Sequence, residues 1–209
     1  MFVLYLGLVG LLAFTLGTGI SGYWLRKHPS KPNAEKSSRI MQALFFAGLV
    51  APAVVVLVYP GLAKLDELVG FTALPASSFF LIIGILLAMP GLYFLGISSK
   101  LLRAHGHGTN TFRITDRIVQ TDIYGRTRNP MSLGYYLWVL GLSFISDSTF
   151  LTLVVLLGFI PVHLFFLKYF EELELELRFG KAYKQYKEKT PFLIPKNQKV
   201  AIKADRDRA

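Results

Sequence analysis

The sequence predicts an all-α integral membrane protein with about five transmembrane helices, the last two a tight helical hairpin, followed by a cytoplasmic C-terminal helix. Three observations predict it. Of 209 residues, 53% are hydrophobic and 17% charged, against about 25% charged in an ordinary soluble domain. Several apolar runs approach or pass the roughly 18 residues that mark a membrane helix. The segments outside those runs alternate in net charge, +4, −1, +4, −1 and +4 in chain order, and account for the overall +10. That alternation follows the positive-inside rule and points the basic charge at a membrane surface, not at nucleic acid. The chain has no cysteine, which excludes disulfides, thiolate metal sites and a cysteine nucleophile.

The first span runs from Phe2 to about Gly22 without a charge, and its basic cluster follows it. A secretory signal would carry the positive charges in front, so an uncleaved anchor with its N-terminus outside the cytoplasm is expected. The second span runs from about Ile40 to Tyr59 with Pro52 inside, and the third from about Phe79 to Ser99 with Pro90 inside. The fourth covers about Met131–Ser146 and the fifth about Phe150–Leu167, with Pro161 inside. Each internal proline removes a backbone hydrogen bond and predicts a kink. The fourth run, at about 16 residues, is short for a hydrocarbon core of about 30 Å. Its link to the fifth is only Asp147-Ser148, hence the tight hairpin.

After span five comes Tyr169-Phe170-Glu171-Glu172-Leu173-Glu174-Leu175-Glu176-Leu177. The alternation mimics a strand, but Glu and Leu are strong helix formers. Phe170, Leu173 and Leu177 form an apolar stripe at i, i+3 and i+7. A helix continuing from span five is predicted. Residues 1–196 read as a single membrane domain and 197–209 as a flexible charged tail.

Candidate chemistry concentrates on the C-terminal half. Asn129 and Pro130 suit the N-cap and first position of a helix, which would leave free amides around Met131 and Ser132 for an anionic group. Glu171 and Glu172 stand at the cytoplasmic end of span five and suit a ligand ammonium or ribose hydroxyls. His163 is an ionisable residue at membrane depth, a functional candidate by default. His105 and His107 lack a matching acid or thiol cluster, so a flexible loop is expected and no metal. The lysines around Tyr183 and Tyr186 are explained by anionic lipid headgroups.

Two blocks carry a resemblance. Val119-Gln120-Thr121-Asp122-Ile123-Tyr124 precedes Arg128-Asn129-Pro130-Met131-Ser132-Leu133-Gly134. Glu171-Glu172 precedes Phe179-Gly180-Lys181-Ala182-Tyr183-Lys184-Gln185-Tyr186 and Thr190-Pro191-Phe192-Leu193-Ile194-Pro195. Together, over about 105–195, they resemble the isoprenylcysteine carboxyl methyltransferase and phospholipid methyltransferase superfamily in a prokaryotic-type form. The resemblance implies a multi-pass membrane enzyme that uses S-adenosylmethionine, in a prokaryotic inner or plasma membrane. It places Ile118, Val119 and Tyr124 against the adenosine. It places Asn129, Pro130, Met131 and Ser132 at the helix-start part of the pocket, and Glu171 on the cofactor's polar groups with Glu172 beside it. Three positions depart from the family pattern. Asn129 stands for a histidine, Ser132 for a tyrosine, and Leu167 for a substrate-binding arginine, with Lys168 adjacent as its substitute.

The resulting expectation is methyl transfer to an amphipathic or lipidic acceptor, an isoprenylcysteine-like carboxylate or a phospholipid amine, with membrane lipids as partners. His163, Glu171 and Glu172 are the candidate proton acceptors. The alternatives are a non-catalytic relative that keeps the fold and a related membrane reductase.

Overall fold

The structure is a computed structural model that describes residues 2–58, 65–106 and 114–196. The described residues are mainly helical. Among the described residues, β-structure is limited to one bridge between Ala73 and Ser148. The tail 197–209 and His107 lie outside the described residues.

Helix α1 (Phe2–Lys27) is the uncharged first run, and it ends on Arg26 and Lys27, cations that suit a helix C-terminus. Helix α2 (Lys31–Phe45) begins nine residues before the expected second span. The reason is local: the Ser30 side chain accepts a hydrogen bond from the Asn33 N–H at 3.3 Å, and Pro32 occupies the first turn. The charged stretch 31–39 thus forms the opening turns of the second rod. That rod continues through a π-helical turn (Phe46–Val50) into α3 (Ala51–Val58).

A short α4 (Leu65–Val69) leads to α5 (Ser77–His105), which carries Pro90 within one unbroken helix. A single turn, α6 (Ile123–Arg126), precedes α7 (Pro130–Ile145). The last rod comprises α8 (Thr149–Leu153), a π turn (Val154–Phe159), α9 (Ile160–Phe166), a second π turn (Leu167–Glu171) and α10 (Glu172–Phe179). Four helical stretches, Leu4–Lys27, Lys31–Val55, Ser77–His105 and Thr149–Phe179, are long and apolar enough to cross a membrane, and α7 is a shorter apolar helix.

Among the described residues, two of the three π turns have a proline cause. A proline ring collides with the carbonyl four residues earlier. For Pro52 and Pro161 those positions, Gly48 and Leu157, fall inside the π turns. Widening the turn makes room for the ring. The third π turn, Leu167–Glu171, contains no proline and has none following it; it ends on a candidate site residue.

The link between α7 and α8 is short, as expected, with Asp147 in the left-handed region at φ 55°. The closest backbone approach of α7 is nevertheless to α5. A methyl on Gly141 would lie 2.6 Å from the Gly84 carbonyl oxygen, and one on Gly91 2.6 Å from the Trp138 nitrogen. Small residues bring membrane helices this close where larger ones cannot. On the other side, Phe14, Leu25, Ala34, Met41 and Phe170 pack into one core, which ties α1 and α2 to the last rod at the residue before Glu171.

Beyond α10 the chain turns at Gly180, whose φ of 55° and ψ of −126° suit glycine. Helix α11 (Lys181–Lys189) then folds back. Residues 190–196 form a strap over the segment before α7. The Arg128 N–H donates to the Pro191 carbonyl at 2.9 Å, and the Lys196 N–H to the Arg126 carbonyl at 3.2 Å.

Candidate active site

A cavity of about 510 Å³ opens among α2, the end of α5, the segment before α7, the last rod and α11. Its lining from the last rod is His163, Phe166, Leu167, Phe170, Glu171, Leu175 and Phe179, within which His163, Leu167, Glu171, Leu175 and Phe179 recur at a spacing of four. On a regular α-helix that spacing drifts by about 160° over sixteen residues. The π turn at Leu167–Glu171 takes up part of the drift. It keeps His163 and Glu171 on one wall, which accounts for a widened turn where no proline demands it.

All the residues predicted for the cofactor line this cavity. Ile118, Val119 and Tyr124 come from the loop into α6, while Asn129, Pro130, Met131 and Ser132 come from the start of α7. Glu171 faces them from the last rod, and His163 lies deeper on the same wall. Glu172 and Lys168 are placed elsewhere. Glu172 is buried in a cluster of cations: Arg128 Nη2 at 3.1 Å, Lys168 Nζ at 3.2 Å and Lys187 Nζ at 2.9 Å. Lys168 is half exposed and also stands 3.6 Å above the Phe192 ring.

The expected capping by Asn129 is corrected. Asn129 occupies the N-cap position, but its side chain makes no capping bond. The Nδ2 group donates to the Phe192 carbonyl at 3.0 Å, and Thr127 Oγ1 donates to the Leu193 carbonyl at 2.8 Å. The strap claims the side chain, and α7 begins with its first amides uncapped. The C-terminal rod is as expected: the helix runs on past Glu171 to Phe179.

Among the described residues, the Glu171 carboxylate has no hydrogen-bond or ion-pair partner; Glu174, Glu172 and the cation Arg178 act on it only from a distance. With no cation in direct contact, an acid in that position is set up for a cationic group of a ligand. Opposite in sign is Arg128, which sequence reasoning passed over. Its side chain is 6% exposed and gives Nη2 to Glu172. Its Nε and Nη1 are buried without a partner among the described residues, and Arg128 lines the cavity. Two stranded guanidinium nitrogens are costly unless a ligand accepts from their N–H groups. The available signal was its place directly before Asn129-Pro130, in the motif read only as a helix start.

Tyr183 and Tyr186, read from sequence as part of a lipid-facing basic segment, instead close the cavity from α11. The Tyr186 hydroxyl donates to the Tyr124 carbonyl at 2.7 Å. Burial pushes the phenols of Tyr124, Tyr183 and Tyr186 above the ordinary tyrosine range, so they remain neutral hydrogen-bonding groups. Among the described residues no group of three or more His, Cys, Asp or Glu is placed to hold a metal.

Apolar rods enclosing a mixed-charge cavity at one end of the bundle define an integral membrane protein with a site for an amphipathic ligand. Residues 79–182 match the model of the phospholipid methyltransferase family, which is part of the superfamily that also holds the isoprenylcysteine carboxyl methyltransferases. The match supports a membrane methyltransferase acting on lipid-like substrates. No curated protein and no solved structure matches the chain.

Proposed function

We propose that this protein is an S-adenosylmethionine-dependent methyltransferase that methylates the amine headgroup of a membrane phospholipid. The observation that carries the reading is the pairing, in one cavity, of an unpartnered carboxylate at Glu171 with the unpartnered Nε and Nη1 of Arg128. A zwitterionic amino-acid cofactor presents the complementary ammonium and carboxylate. Glu171 suits the ammonium or the ribose hydroxyls. Arg128 suits the carboxylate, helped by the uncapped amides of Met131 and Ser132. Ile118, Val119 and Tyr124 offer an apolar and aromatic wall for an adenine ring. The residues present therefore fit the cofactor.

When bound, the cofactor supplies an electrophilic methyl group on sulfur. The remaining work belongs to positioning and exclusion of water, which are worth roughly 7–11 kcal/mol in well-oriented reactions. In the transfer, an amine lone pair forms the new N–C bond as the S–C bond breaks, and the amine loses one proton. Glu172, engaged by three cations, is a poor proton acceptor. Glu171, committed to the cofactor, is not available either, so the proton passes to water. α2 and α5 both contribute residues to the cavity lining, and on this reading the lipid enters sideways between helices. On this reading the basic face is cytoplasmic.

The test is calorimetric titration of detergent- or nanodisc-held protein with S-adenosylmethionine and S-adenosylhomocysteine, followed by labelled-methyl transfer to phosphatidylethanolamine. Micromolar binding together with labelled lipid is expected. Binding without transfer to any lipid of an extract would indicate a non-catalytic relative, and absence of binding by folded protein would overturn the proposal.

A further inference from the structure

His163, a candidate proton acceptor from the sequence, is a polar group in the cavity that the proposed function does not use. It is 6% exposed and lines the cavity, whereas Tyr136, behind it on α7, does not. The two are joined by a 2.8 Å hydrogen bond between Tyr136 Oη and His163 Nδ1. Phe159 stacks on the imidazole at 5.7 Å, with Phe45 at 5.5 Å and Phe166 at 5.7 Å, so the ring is held in place. The other ring nitrogen, Nε2, has no hydrogen-bond partner among the described residues and is not sealed in the interior.

The direction of the Tyr136 bond follows from counting donors. The phenol has one proton, and His163 Nδ1 is its only hydrogen-bond partner among the described residues. If Nδ1 carried a proton instead, the buried phenol O–H would be left without an acceptor, at a cost comparable to a lost hydrogen bond. Tyr136 therefore donates, Nδ1 accepts, and the imidazole proton sits on Nε2. This geometry presents the cavity with a fixed N–H donor and leaves no lone pair on Nε2 to take a proton.

Depth selects what the donor meets. His163 precedes Glu171 by eight residues, about 12 Å along a helix axis, within an apolar span. The cavity's cations, Arg103, Arg117 and Arg128, are contributed by other elements, and the ring is surrounded by phenylalanines. A phosphate would be poorly matched there. A neutral carbonyl flanked by hydrocarbon fits.

We propose that His163 Nε2–H, positioned by Tyr136, accepts no proton but donates to an acyl-ester carbonyl of the lipid, so that the site prefers ester-linked over ether-linked lipids. The proposal rests on the phospholipid reading for how the lipid lies in the cavity.

The experiment uses full-length protein in nanodiscs, labelled with nitrogen-15 in the histidine rings, with His163→Phe to assign the signal. A neutral Nε2–H tautomer is expected. Its nitrogen should shift when diester phosphatidylethanolamine is added and not when the diether analogue is added. An Nδ1–H tautomer, a doubly protonated ring or an equal response to both lipids overturns the proposal. In a turnover arm, KM should be roughly five- to tenfold lower for the diester lipid, the worth of one hydrogen bond. His163→Phe should erase that ratio, and His163→Gln, which keeps a donor, should retain most of it. Loss of turnover on both lipids alike in folded His163→Phe and His163→Gln would make His163 a proton acceptor and refute the proposal. Ester-selective shifts in a protein that methylates neither lipid would refute the methyltransferase reading and leave the lipid contact standing.

Discussion

Glu171→Gln separates a ligand-binding acid from a structural one, because the two roles predict opposite signs in the unliganded protein. A structural acid would lose a partner on substitution. Glu171 has none in direct contact among the described residues, and its burial and the like charges of Glu174 and Glu172 outweigh the attraction of Arg178. Its replacement by the neutral isostere relieves repulsion and breaks no bond, so the thermal midpoint of the apo protein should hold or rise. Ligand affinity should fall. A hydrogen bond to a charged group contributes about 1.5–3 kcal/mol net, which corresponds to a loss of roughly 10- to 150-fold in affinity for S-adenosylhomocysteine. Calorimetry gives the second quantity and a fluorescence melt in the same detergent gives the first. Unchanged affinity would refute the assignment, and so would a lowered apo midpoint with affinity reduced only in proportion to the folded fraction.

Further outcomes follow from the same geometry. Asn129→Ala releases the strap at Phe192 and should weaken cofactor binding by roughly two- to tenfold, the range of one neutral hydrogen bond; calorimetry with an unaltered value would count against the strap's role in shaping the pocket. Gly141→Ala places a methyl 2.6 Å from the Gly84 carbonyl and should destabilise the α5–α7 pair by about 1–3 kcal/mol, while Gly19→Ala, which meets open space, should not; equal thermal midpoints for the two variants would contradict the close packing. The docking of α11 should fail at alkaline pH. Hydrogen bonding to Glu176, and then to Glu172, raises the Lys187 ammonium above its ordinary value, and burial raises the Tyr186 phenol. A raised folded value means stability that is complete below the unfolded pKa, about 10 for both groups, and lost as pH rises through the folded one. Limited proteolysis after α10 should therefore be flat from neutral pH to about 9 and accelerate beyond 10; acceleration on the acid side of that window would refute the sign.

The class of fold was legible in the sequence because membrane insertion depends on local quantities. Apolar length, the absence of charge and the alternation of basic loops are all counted along the chain, and they placed the rods, the short α7 and the continuation of the last rod past Glu171. The start of α2 was missed because a Ser30 cap and a proline in its first turn outweighed the charge of residues 31–39. The motif blocks likewise named the cavity's lining from Ile118 to Ser132 and Glu171, since those residues lie in short contiguous segments. What tertiary structure alone decided is which polar atoms are satisfied. Asn129 gives its amide to the strap instead of the helix, and Glu172 pairs with Lys168, Arg128 and Lys187. Glu171, one residue away, is left free by a π turn. Hydrogen bonds and ion pairs between segments far apart in the chain leave no periodicity in the sequence. Arg128 and Tyr136 therefore emerged only when the rods were packed and the unpartnered donors could be counted.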